Sequence, residues 1–71
     1  MIYTRIRSYK DNQFTGCEHL YLGDSHVNAL TAFRMAYPEH KDCILIAENY
    51  DSDDPKNAAH FAACVRCGCV H

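Results

Sequence analysis

An α+β domain of the order ββαβα, with a three-stranded, mainly antiparallel sheet in the order 2-1-3 packed against two helices, is what this sequence predicts. Three observations predict it. The N-terminal stretch alternates in polarity with period two, the mark of a half-buried strand. A central stretch, His26 to Glu48, reads as one helix, a stop and one apolar strand. Near the C-terminus Asp54-Pro55 and Gly68 bracket a second helical run, because a carboxylate caps, proline fits the first helical position and glycine closes the end.

From Ile2 to Tyr9, Ile2, Thr4, Ile6 and Ser8 point one way and Tyr3, Arg5, Arg7 and Tyr9 the other. Lys10 to Gln13 supplies polar turn chemistry and Gly16 a second break, so a hairpin with a loop of several residues is expected. Cys17 to Leu22 then forms the second strand, with Cys17, His19 and Tyr21 on one face and Glu18, Leu20 and Leu22 on the other. Gly23-Asp24-Ser25 offers two N-cap candidates, Asp24 and Ser25, for a helix whose apolar face is Ala29, Leu30, Phe33, Ala36 and Tyr37. Pro38 ends that helix, since proline forces its predecessor out of the helical region. Cys43 to Ala47 is apolar throughout and reads as a strand covered on both sides or lying mid-sheet. If β3 lies beside β1, the first strand becomes central and the crossover helix covers one face. Glu48 to Asp54 follows as a solvated acidic turn. The second helix takes Ala58, Phe61, Ala62 and Val65 as its apolar face.

The 71 residues allow one domain, 1–71, with one small core and no room for a deep cleft. No apolar run reaches the roughly 18 residues that span a bilayer. The N-terminus alternates where a signal peptide needs a continuous apolar run, so a cytoplasmic chain is expected. Five cysteines, an odd and unevenly spaced set, suit a reducing compartment, with thiols used for packing or metal. The net charge of −2 hides an asymmetry: residues 36–71 hold six acidic and three basic side chains, and the acids all fall between Glu39 and Asp54. That edge repels a phosphate backbone, which argues against nucleic acid as the partner.

Two clusters could carry function. The first is the acidic edge, Glu48, Asp51, Asp53 and Asp54 around Tyr50, a contact surface for a basic protein partner with an aromatic anchor; its bland reading is a solvated loop with a strong helix cap. The second is the tail His60 to His71, where Cys64, Cys67, Cys69 and His71 are expected as zinc ligands, joined by Cys17 or His19 on β2. His60, Cys64 and Cys67 share a helical stripe opposite the assigned apolar face. The bland reading of the same thiols is packing, as small hydrophobes. A redox role for Cys64 and Cys67 is disfavoured by their place near a helix C-terminus, which works against a thiolate. No phosphate loop, nucleophile elbow or placed base is visible, so no catalytic residues are expected.

Two strands, the helix Ala-Leu-Thr-Ala-Phe-Arg-Met-Ala-Tyr-Pro, the strand Cys-Ile-Leu-Ile-Ala-Glu and an acidic turn resemble the small α+β proteins of bacteriophages and other mobile elements, some of them anti-CRISPR proteins. The resemblance covers residues 1–54 and lies in size and element order. It implies a non-catalytic inhibitor that binds a host protein or ribonucleoprotein complex, with the Cys/His tail leaving room for a zinc-stabilised or homodimeric variant.

Overall fold

The computed structural model describes residues 1–23 and 25–71; of the two expected N-caps, Asp24 lies outside the described residues. β1 (Ile2–Lys10) and β2 (Gln13–Leu22) form a hairpin, followed by α1 (His26–Ala36), a short 3-10 turn at Pro38–His40, β3 (Ile44–Asp51) and α2 (Pro55–Cys67). The sheet order is β2-β1-β3, and β1 runs antiparallel to both neighbours. The expected ββαβα architecture is therefore present.

The hairpin is tighter than its sequence suggested. Only Asp11 and Asn12 turn the chain, at φ 53° and 64°, so β2 begins at Gln13 and no loop of several residues exists. Two consecutive positive φ values match the twist of the flanking strands, which is why such a short turn closes the pair. The strand register shifts between Arg7 and Tyr9. Across this irregularity the Thr15 hydroxyl donates to the Ser8 carbonyl at 3.0 Å.

The two helices cover opposite faces of the sheet. α1 starts at Ser25, whose side chain accepts from the Asn28 amide, and lays Ala29 and Phe33 on Ile6 and Tyr21, with Leu30, Tyr37, Leu45 and Ala47 packed around them. The buried hydroxyls on that side are satisfied: Thr4 donates to Asn49 Oδ1 at 3.0 Å and Ser8 meets His40 Nδ1 at 2.9 Å. α2 starts at Asp54, ends at Gly68 in the left-handed region, and packs on Tyr3, Leu20, Leu22 and Tyr50.

Three expectations about these elements are corrected. α2 is rolled about its axis: Cys64 is its buried residue and Phe61 is half-buried, whereas Ala58, Ala62 and Val65 face solvent. Alanine contributes too little apolar area to set the phase, so phenylalanine and the cysteine decide it. β3 begins at Ile44, lies at the sheet edge and is not covered on both sides; Ile44 is 63% and Ile46 43% exposed. Glu48 to Asp51 belong to β3 rather than to a turn. The chain's end adds a short parallel bridge to the outer edge of β2, in which the Leu20 amide donates to the Cys69 carbonyl at 2.9 Å and the His71 amide to Leu20 at 2.8 Å. Among the described residues no helix is long and apolar enough to cross a membrane.

Candidate functional site

Strand alternation and helix phase bring one group of reactive side chains together. Glu18 projects from β2 on the face that carries Leu20 and Leu22, toward α2. His60 and Cys64, one helical turn apart, share the side of α2 that meets it. Glu18 Oε1 hydrogen-bonds His60 Nε2, and the Cys64 sulfur lies 3.7 Å from that same nitrogen and 3.9 Å from Glu18 Oε1. One potential donor atom from each of the three residues falls within 4.8 Å of the other two. Glu18 Oε2 accepts from Arg7 Nε at 2.7 Å, which fixes the carboxylate plane, and the Arg7 guanidinium in turn lies 5.1 Å from the centre of the Phe14 ring. A cavity of about 280 Å³ opens here, lined by Phe14, Gly16, Glu18, His60, Cys64, Cys67 and Cys69 among others.

The electrostatics separate a binding cluster from a nucleophilic one. Burial alone would raise the Glu18 carboxyl, but hydrogen bonds from His60 and Arg7 outweigh it and hold the group below the usual glutamate range. Burial pushes the Cys64 thiol up, and the Glu18 charge adds to it, so the sulfur is protonated and unactivated at neutral pH. In a Cys-His-carboxylate triad, thiol and carboxylate engage opposite ring nitrogens, whereas here both approach Nε2. The arrangement converges on one point instead of relaying a proton.

The chain matches no family model, no curated protein and no solved structure.

Of the residues expected to bind zinc, Cys64, Cys67 and Cys69 line one cavity, while His71 sits elsewhere. Its ring stacks on Tyr21 at 4.9 Å and meets His19 Nδ1 at 2.9 Å, on the α1 face of the sheet. Cys17 and His19 project to that face too, so neither joins Cys64. Glu18 went unrecognised as a ligand; its signal was a lone carboxylate on an otherwise apolar strand face. His60 was legible as one of the possible ligands of the tail and as a member of the helical stripe, although it is not among the four expected zinc ligands.

The acidic edge is built differently. Glu48 receives Arg5 Nη2 at 3.0 Å and the Tyr50 hydroxyl at 3.1 Å; Asp51 and Asp53 each lie 2.9 Å from the Met1 amine; Asp54 accepts from the Lys56 amide at 2.9 Å. Asp51 is held below its usual range first by the Asp53 amide and then by that amine. Tyr50 stacks on Tyr3 at 5.9 Å beneath the Arg5 guanidinium. These carboxylates hold the fold's own groups while remaining at its surface. Glu48, Tyr50 and Asp51 all belong to β3, whose outer edge pairs with no other strand among the described residues.

Proposed function

We propose that this chain is a small protein-binding domain that acts by occupying a partner's surface, without catalysis, and that β3 makes the contact. The observation that carries this reading is an eight-residue edge strand, free of proline, with Ile44 and Ile46 exposed; Phe14, 45% exposed, lies on the same sheet face across β1, beyond Tyr9 and Arg7. α2 covers only the Tyr3 and Leu20 half of that sheet face and leaves the apolar remainder open. Unpaired strand edges with uncovered apolar side chains are where an extended segment of another protein adds. Glu48, Asp51, Asp53 and Asp54, with Tyr50, form the charged rim at the far end and favour a partner with basic flanks. Antiparallel pairing of two copies about Ala47 would set Glu48 of each against Ile46 of the other, which disfavours that register of a homodimer. The resemblance to mobile-element inhibitors points to a host nucleic-acid-handling complex as the partner class.

The test is affinity capture from the native host's lysate with the wild-type chain and with Ile44→Asp/Ile46→Asp, alongside sedimentation of the chain alone. A stoichiometric partner whose affinity falls at least about tenfold in the variant, with an unchanged circular dichroism spectrum, is expected. Equal capture by both chains, or a wild-type homodimer that the variant disrupts, would overturn the reading.

A further inference from the structure

We propose that Glu18, His60 and Cys64 form a zinc-class metal site that ties α2 to β2, with Cys67 or Cys69 as the fourth ligand. The geometry comes first. Around a tetrahedral zinc with bonds of about 2.0 Å to nitrogen or oxygen and 2.3 Å to sulfur, ligand atoms stand about 3.5 Å apart. Cys64 Sγ lies 3.7 Å from His60 Nε2 and 3.9 Å from Glu18 Oε1, close to those edges. Only the Glu18–His60 pair, hydrogen-bonded to each other, must open to admit the ion.

The donor types choose among metals. A thiolate and an imidazole with one carboxylate suit zinc, or cobalt in its place, and do not suit calcium or magnesium, which take oxygen shells. The outer shell is also present. Arg7 binds the Glu18 oxygen that faces away from His60, the kind of contact that orients a ligating carboxylate. The fourth position has two claimants. Cys67 follows Cys64 by three residues, and Cys69 is folded back beside it, its amide donating to the Cys64 carbonyl at 3.0 Å. Both line the cavity. Binding replaces the proton of each ligating thiol, so Zn²⁺ enters and one proton per sulfur leaves.

This site and the β3 surface stand on different residues, and the experiment reads metal alone. Cobalt(II) is titrated into metal-free protein under reducing conditions and followed by absorption, then displaced with zinc. One equivalent, a thiolate-to-cobalt charge-transfer band and the intense visible bands of tetrahedral cobalt are expected. Loss of an outer-shell partner costs about 10–100-fold in affinity, so His60→Ala, Glu18→Gln or Cys64→Ser, each removing a ligand, should weaken binding by at least about 100-fold. Cys17→Ser, on the opposite sheet face, should leave the titration unchanged. His60 is exposed, so its variant keeps the fold and decides the matter even if Cys64→Ser does not. Loss of the band in Cys67→Ser or in Cys69→Ser names the fourth ligand. Absence of the band in the wild type, or a titration indifferent to both His60→Ala and Glu18→Gln, would refute the site.

Discussion

His19 lies where three elements meet. Its ring centre is 4.5 Å from that of Tyr37, 5.0 Å from His71 and 5.9 Å from Phe33. Burial, and then the neighbouring His71 ring, lower its pKa from 6.5, with Glu18 on the same strand opposing weakly. A lowered histidine pKa means that the unfolded chain takes up the proton first as the pH falls. Stability should therefore be complete above about pH 6.5 and decline below it, until the folded ring also protonates. His19→Phe keeps an aromatic body and removes the titration. Between about pH 7.5 and 5.5, its urea midpoint should shift less than the wild type's, and equal shifts would rule His19 out as the cause. The carboxylates Glu18 and Asp51, both lowered, act in a lower window and leave this comparison clean. Strand alternation groups His19 with Cys17 and Tyr21 on one face of β2 from sequence alone, but does not say that α1 covers that face. The His71 contact was not legible, because it depends on the chain's end returning to the edge of β2.

At the scale of elements, caps and stops were the most legible features, since Ser25, Asp54, Pro38 and Gly68 act through their immediate neighbours. Phase and cover were less so. An alanine-rich helix leaves its inward face open until a partner surface is known, and α2 turns Cys64 inward because Tyr3, Leu20 and the Glu18 carboxylate await it. Cys43 to Ala47 reads as a doubly covered strand because an apolar run signals burial, whereas Ile44 and Ile46 lie exposed at the sheet edge. The hairpin gives the second prediction. Asn12 sits at φ 64°, a region that costs an ordinary residue about 1–2 kcal/mol and costs asparagine or glycine less. Asn12→Ala should destabilise by about 1 kcal/mol in chemical denaturation and Asn12→Gly should equal or exceed the wild type. A glycine variant as weak as the alanine one would mean that the asparagine side chain, not the backbone, holds the turn.

Across the whole molecule, two unequal helices on the two faces of one sheet make its stability uneven. α1 buries Ala29 and Phe33 completely, and Phe33→Ala should cost about 3–5 kcal/mol, as for other aromatic truncations in a core. α2 buries Cys64, half-buries Phe61 and Ala63 and turns its other alanines outward, so much less apolar area opposes its release. Local opening draws on the regions with the least burial. Native-state hydrogen exchange should then show α2 amides exchanging through a partial opening well below the global unfolding energy, while β1 and α1 exchange only with complete unfolding. The proposed metal site makes the same measurement a test of coupling. An ion bound by Glu18 on β2 and by His60 and Cys64 on α2 binds only when the two are docked, so at one hundred times its dissociation constant it stabilises that state by about 2.7 kcal/mol. Zinc should raise protection in α2 by that amount, and in the His60→Ala chain it should not. Protection that rises equally in both chains would place the ion elsewhere. Protection already uniform without zinc would show that the thin contact of Phe61 and Cys64 with the sheet is enough to make the domain a single cooperative unit.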